Sequence, residues 1–224
     1  NGRISRIAKK AQTNRDKDAL KELETLNKAK EALECGKPLR LVDFTEEDLA
    51  LLKNFSLITL KPVIYLANVS EDLTNDNNYV QMVTEYAKKE GAQTVKICAK
   101  LESELSELTD DDKKEMLSVV GIEESGLDKL IKITYDILGL ATYFTVGSDE
   151  VRAWTFKKGM NAKECAGIIH TDFEKGFIKA EVISYEDLIQ CGSELKVREA
   201  GRARLEGKDY IMQDGDICHF RFNV

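Results

Sequence analysis

The chain has 224 residues, 42% of them hydrophobic and 33% charged, with two prolines and a formal net charge of −7. That length can hold two compact units with real cores, and the acidic balance argues against a generally basic nucleic-acid binder. No apolar run approaches the ~20 residues a membrane-spanning helix needs, and the opening Asn1-Gly2-Arg3-Ile4 lacks the apolar stretch of a secretory signal.

Taken in chain order, Ile4, Ile7, Ala8 and Ala11 recur at helical spacing. A polar break, Gln12 to Asp16, separates them from a second stripe through Leu20, Leu23, Leu26, Ala29 and Leu33. Glu24 and Lys28 form a favourable i, i+4 pair there, and Gly36 and Pro38 stop the helix. Residues 1–40 are therefore expected to form an antiparallel helical hairpin. Its first helix lacks an N-cap and reads as a cut through a longer element. Thr45-Glu46-Glu47-Asp48 is a capping signal for a short helix ending near Asn54.

Next comes Pro62-Val63-Ile64-Tyr65-Leu66-Ala67-Asn68, apolar without alternation, as in a parallel strand covered on both faces. Tyr79, Met82, Val83, Tyr86 and Ala87 mark a helical face closed by Gly91. A second buried strand is expected over Thr94–Ala99, completing one right-handed βαβ unit. Two strands do not make a stable doubly wound sheet, so their neighbours are expected upstream or on another chain, with exposed apolar surface over 60–140. Helices are expected over Leu101–Leu108, from Asp110 after a Thr109 cap, and over Gly126–Leu138. Asp110, Asp111 and Asp112 follow that cap and are explained by the positive end of the helix dipole rather than by a metal.

From about Thr142 the pattern changes to short strands: Val151–Phe156, Phe177–Ile183, Asp209–Met212 and Ile217–Phe222. Helices are expected near Ala162–Ile169 and Tyr185–Gln190, and Asp214-Gly215 is a hairpin signal between the last two strands. A strand-rich unit with a helix laid across it fits a β-grasp. The fold class is thus mixed α/β and α+β: the hairpin (1–40), an α/β segment of two parallel strands plus helices (41–141), and a β-grasp unit (142–224).

Several chemistries are excluded. There is no G-x-x-x-x-G-K-[ST] phosphate loop, no G-x-S-x-G elbow and no C-x-x-C. His170 and His219 lie far apart, so zinc has no ligand spacing, and the five scattered cysteines read as free thiols of a cytosolic protein. Trp154 reads as core rather than as a base-stacking platform. No catalytic residue and no metal ligand is nominated in this chain.

The ends of the two strands carry the most information, because ligands of open parallel sheets bind at the carboxyl ends of strands. The first strand ends in Asn68-Val69-Ser70-Glu71 and the second in Cys98-Ala99-Lys100. These resemble the Asn-Lys-x-Asp and Ser-Ala-Lys stretches of Ras-like domains. There the asparagine braces the loops and touches the purine, and the aspartate accepts from guanine N1 and N2. Val69 and Glu71 replace the lysine and the aspartate. Glutamate is one methylene longer, so the guanine preference should be relaxed or reversed. The competing reading is that Asn68 and Glu71 only cap a loop.

The run Leu60-Lys61-Pro62 through Glu71 resembles the YchF group, also called Obg-like ATPases. So do Glu150–Thr155, Ile169–Ile178, Gly207–Ile211 and the terminal Gln213–Asp216 with His219–Val224. The resemblance covers essentially the whole chain. It implies a Ras-like domain interrupted by a helical hairpin and followed by a C-terminal TGS domain, a β-grasp module. It also implies ATP in preference to GTP, with Mg2+ in the intact protein, and a role at the ribosome in translation or stress. Asn68, Val69 and Glu71 would meet the adenine, with Cys98, Ala99 and Lys100 beside it. The phosphate loop, switches and catalytic histidine of the family have no counterpart in the sequence, so the chain resembles a C-terminal part that does not hydrolyse nucleotide by itself.

Residues 1–40 hold eleven Lys/Arg against six Asp/Glu, while 101–141 hold four against eleven. Under the same resemblance Arg3, Arg6, Lys9 and Lys10, with Lys157, Lys158 and Arg202, are expected to contact phosphates of the ribosome or RNA. A solvated helix surface accounts for the same charges. The implied partners are the ribosome or RNA and the missing N-terminal half of the same protein, with no membrane and a cytoplasmic location. The alternative is a TGS-based protein- or RNA-binding module without nucleotide activity. Oligomeric state is not legible.

Overall fold

The computed structural model describes residues 1–14, 16–70, 77–147 and 150–223, with backbone alone for 12–14. They fall into two compact units, Asn1–Leu127 and Asp128–Val224. Among the described residues no helix is long and apolar enough to cross a membrane.

The first unit opens with the expected hairpin of α1 (Gly2–Asn14) and α2 (Lys17–Glu34). The backbone stays helical through Asn14, so the break is shorter than the polar run predicts. Asp16 starts α2 by accepting from the Asp18 and Ala19 amides. On α1, Ile7 and Ala11 are buried as the stripe requires. On α2 the stripe is displaced: Ala19, Thr25, Leu26 and Ala29 are buried, whereas Leu20 and Leu33 are exposed.

The displacement has a cause in α3 (Glu46–Lys53), which packs on α2. Thr25 Oγ1 donates to Asp48 at 2.6 Å, and Lys21 Nζ reaches the same carboxylate at 3.2 Å. Asp48 also completes the expected capping box, exchanging backbone-to-side-chain bonds with Thr45. Lys28 turns not to Glu24 but to the Asp43 carbonyl and the face of Phe44. Leu26, Ala29, Leu39 and Leu52 form the core beneath the hairpin.

Two 3-10 turns, Leu39–Leu41 and Ile58–Leu60, lead to β1 (Ile64–Asn68). Helix α4 (Asn78–Lys89) crosses to β2 (Gln93–Ile97), which runs parallel to β1 with Asn68 opposite Ile97. Gly91 takes φ +66° and the Ala92 amide returns to the Ala87 carbonyl, the C-terminal cap expected of it. The helix buries Val80 and Ala87, while Tyr79, Met82 and Tyr86 are 77%, 58% and 54% exposed. With Leu66 of β1, 48% exposed, they make up exposed apolar surface in this segment. β2 ends at Ile97, short of the expected Ala99, because Cys98 caps α5 (Ala99–Ser106). α6 (Asp110–Val120) starts at its Thr109 cap as read, and α7 (Gly126–Ile137) follows.

In the second unit β3 (Leu140–Val146), β4 (Val151–Lys157), β5 (Phe177–Ser184), β6 (Arg204–Glu206) and β7 (Asp216–Phe222) form one sheet. Their order is β4-β3-β7-β5-β6, with β7 parallel to β3 and antiparallel to β5. α8 (Ala162–Ile169) packs over Tyr143, Phe156, Val182 and Cys218 on one face. α10 (Tyr185–Cys191) and α11 (Glu194–Glu199) pack with Ile183, Val197 and Ile217 on the other. The short α9 (Thr171–Lys175) follows α8 and stacks Phe173 on Phe222 at 3.8 Å.

Two sequence expectations fail here. Asp209–Met212 is not a strand, since only Ile211 bridges, to Asn161. Nor does Asp214-Gly215 join a hairpin: Asp214 Oδ1 accepts from the Thr142 amide at 2.8 Å, and the Gly215 amide donates to the Thr142 carbonyl. The reason is the buried Asp216, whose Oδ2 accepts from the Tyr210 hydroxyl and the Gln213 amide, both at 2.9 Å. The segment coils around that carboxylate instead of pairing. Burial raises the Asp216 carboxyl above the ordinary carboxylate range.

Trp154 packs against the core beneath the Arg152 guanidinium, and its Nε1 donates to Thr145 Oγ1. His170 caps α9 through Nδ1, and His219 Nε2 lies 3.1 Å from Glu194. Burial pushes the Cys165 thiol up to about 12 and that of Cys218 higher still, so both stay protonated at neutral pH. The fully buried Tyr143 donates its hydroxyl to the Cys165 carbonyl at 2.8 Å. Tyr143→Phe should lower the unfolding free energy by about 1–2 kcal/mol, measured by urea titration, because the carbonyl loses its partner in a dry core.

Candidate functional site

β1 and β2 run side by side and finish together, so the segments after Asn68 and Ile97 share one mouth. The Val69 amide donates to the Ile97 carbonyl at 2.8 Å, extending the ladder one step past the strand. Asn68 then bridges the two ends with its side chain: Oδ1 accepts from the Ala99 amide at 3.1 Å. That leaves the Asn68 amide nitrogen as a donor at an exposed position, beside a half-buried Val69.

The second strand end is fixed as firmly. Cys98 is buried, and its Sγ accepts from the Leu101 amide at 3.5 Å, starting α5. Ala99 and Lys100 therefore lie in the first turn of that helix and are exposed. Lys100 lies 4.0 Å from Glu104. Behind this turn Glu102 Oε1 accepts from the Gly126 amide at 2.7 Å, bracing α5 against the start of α7. Nothing in the local sequence around Glu102 announces that brace. Five of the six strand-end residues, Asn68, Val69, Cys98, Ala99 and Lys100, are thus brought together, and Glu71 lies outside the described residues.

The basic residues are distributed differently. On α1, Arg3, Arg6 and Lys10 form a stripe flanking the Ile4/Ile7 face, and Lys9 is exposed. Arg3 makes a two-pronged pair with Glu22 at 2.7 and 2.9 Å, Arg6 Nε donates to the Gly2 carbonyl, and Lys10 pairs with Asp16 at 3.0 Å. In the second unit Lys157 is exposed, Lys158 pairs with Asp136 at 3.0 Å, and Arg202 holds Asp187 and Gln190 at 2.8 Å. Most of these cations already have a carboxylate or carbonyl partner, which a phosphate would have to displace.

Open α/β sheets bind ligands at the carboxyl ends of paired parallel strands, which here are bridged by a side chain and face a helix start. Comparison with known proteins finds similar chains. The family model YchF-GTPase_C, described as "Protein of unknown function (DUF933)", matches residues 140–223. The "Ribosome-binding ATPase YchF" of Bacillus subtilis (strain 168) is 56% identical over 225 residues, covering 99% of this chain and 61% of that protein. Its namesake from Escherichia coli O157:H7 is 48% identical over 221 residues with the same shares.

Among solved structures, the Schizosaccharomyces pombe YchF GTPase matches with a TM-score of 0.85 at 32% identity, over 97% of this chain and 60% of that one. A GTP-binding protein from Pyrococcus horikoshii OT3 shares the fold, with a TM-score of 0.55 at 18% identity over 97% and 64% of the two chains. Over nearly its whole length the chain is similar to YchF proteins. It spans about three fifths of the length of the curated relatives it matches.

At this mouth an exposed Asn68 side-chain amide lies beside a half-buried Val69. The sequence has no G-x-x-x-x-G-K-[ST], and the described residues hold no cluster of three or more metal-ligating side chains.

Proposed function

We propose that this chain is the base-reading and partner-contacting part of a ribosome-associated, ATP-preferring nucleotide hydrolase of the YchF type, a nucleotide-dependent switch acting in translation or stress. Residues 1–40 form its hairpin insertion, 41–141 the C-terminal part of a Ras-like domain, and 142–224 a TGS β-grasp domain. Asn68, Val69 and Glu71, with Cys98, Ala99 and Lys100, meet the adenine. Hydrolysis, phosphates and Mg2+ are left to residues outside this chain. Ribosome association places the protein in the cytoplasm.

The observation that carries this reading is the Asn68–Ala99 bond. It joins the two segments that the base would touch and fixes the orientation of the Asn68 amide. Both purines offer an N7 acceptor, so Asn68 supplies affinity, and the choice of base falls on Val69 and Glu71. Equilibrium titration with fluorescent ATP and GTP analogues is the test. ATP should bind more tightly than GTP by about tenfold or more, and Asn68→Ala should weaken both. Equal affinities, or an Asn68→Ala variant that binds like the parent, would sink the proposal.

Arg3, Arg6, Lys9, Lys10, Lys157, Lys158 and Arg202 are proposed to contact RNA phosphates of the ribosome. Pelleting with ribosomes should fall steeply between low and moderate salt, and charge reversal at Lys9 and Lys10 should reduce it further. Salt-insensitive pelleting counts against these contacts.

A second reading, a TGS-type protein- or RNA-binding module, draws support from the second unit. Its first and last strands pair in parallel at the centre of the sheet with α8 across one face, as in a β-grasp. If residues 128–224 alone keep full partner affinity, that reading is preferred.

A further inference from the structure

Glu90 sits where three elements of the first unit meet. It closes α4, and Arg40 Nη2 donates to its Oε2 at 2.7 Å. The Tyr65 hydroxyl of β1 donates to the same oxygen at 2.8 Å, and the Tyr86 hydroxyl donates to Oε1 at 3.1 Å. The Tyr65 and Tyr86 rings meet edge to face, 5.8 Å apart. The Glu90 side chain is only 7% exposed and that of Arg40 19%. Among the described residues Arg40 Nε is buried without a hydrogen-bond partner, and Nη2 anchors the guanidinium to Glu90.

Each arm of this cluster leads somewhere. Arg40 adjoins Leu39, which is fully buried against Leu26 and Ala29 of α2 in the core beneath the hairpin. Tyr65 stands three residues before Asn68 on the same strand, roughly 10 Å from the strand-end mouth. We propose that Glu90 is a positioning residue that ties the exit of the helical hairpin to the strand presenting Asn68, coupling hairpin displacement to rearrangement of the strand-end site.

The functional meaning of this link rests on the base-reading assignment of Asn68, but the link itself does not need nucleotide. Residue-resolved amide hydrogen exchange on this chain measures it directly. Four amides report: Leu41 and Val42 in the turn after the hairpin, and Val69 and Ala99 at the strand ends.

In Glu90→Gln all four should exchange about tenfold faster, while the Leu117 region of α6 keeps its protection. Tyr65→Phe removes one arm only, so Val69 and Ala99 should loosen and Leu41 and Val42 should not.

Protection at Val69 and Ala99 that survives both Glu90→Gln and Tyr65→Phe overturns the proposal. So does a uniform rise that includes α6, which marks Glu90 as a stability residue alone. Should Glu90→Gln fail to fold, the Tyr65→Phe result decides. A negative nucleotide titration leaves these outcomes standing, so failure of the base reading and failure of the link are separable.

Discussion

Asp48→Ala is expected to lower the stability of the first unit by roughly 2–3 kcal/mol. The carboxylate is 5% exposed and serves three masters: the Thr25 hydroxyl, the Lys21 ammonium and the Thr45 amide. Removing it takes away the Thr45 amide's half of the α3 capping box, leaves the Thr25 hydroxyl with only the Lys21 carbonyl, and strips Lys21 of its counter-charge. Denaturant unfolding of the variant measures the loss. A change under about 0.5 kcal/mol, the range of ordinary surface substitutions, would show that the cluster is decorative.

The same group makes a pH prediction. The Thr25 hydrogen bond, ahead of the Thr45 amide and Lys21, holds the Asp48 carboxyl well below the usual range, against the opposing effect of burial. A depressed carboxyl contributes fully above its unfolded pKa of about 3.9, and the contribution drains away as pH falls towards the folded value. The parent should therefore lose stability steadily as the solution is acidified below about pH 4. Asp48→Ala should show a shallower slope over that range.

Gly176→Ala is expected to pull the end of β7 off the sheet, at a cost of roughly 2–3 kcal/mol to the second unit. A Cβ at Gly176 would lie 1.9 Å from the Asn223 carbonyl oxygen and 2.9 Å from its carbon, so backbone has to move. What moves is the Asn223 amide bond to the Gly176 carbonyl, the Phe177–Phe222 pairing and the Phe173–Phe222 stack. Thermal unfolding together with backbone chemical shifts near Phe222 would report it. Native shifts there would mean that the close approach is not obligatory.

Much of this architecture is legible in the residues, where one local signal settles the outcome. The Thr45 and Thr109 caps, the Gly91 terminus and the βαβ order all appear where short-range chemistry puts them. What fails depends on partners distant in sequence. Leu20 looks like core until Thr25 bonds Asp48 and turns α2 towards α3.

Tyr210 and Met212 alternate as a strand would, but Asp216 captures Tyr210 and Gln213 and Met212 drops into the core. β6 is three residues long, too short to alternate visibly, and α9 is capped by a histidine, which sequence rules do not favour. At the strand ends, Asn68 and Ala99 are legible as neighbours because a parallel crossover must bring them together. Glu90 is not, since three elements have to meet before its carboxylate gains a purpose.

The position of β7 has a consequence for how the protein comes into being. Its residues, 216–222, are synthesised after those of the sheet's other four strands, yet they lie in the middle of the sheet between β3 and β5. During translation the strands β3–β4 and β5–β6 emerge as two separate pairs with no common edge. The core over Tyr143 and Val182 closes only when β7 slides between them, a pairing of long sequence separation and hence slow. A nascent chain paused before Asp216 would expose two open sheet edges to association with other chains. Premature termination anywhere upstream therefore removes the keystone of the sheet rather than trimming its rim.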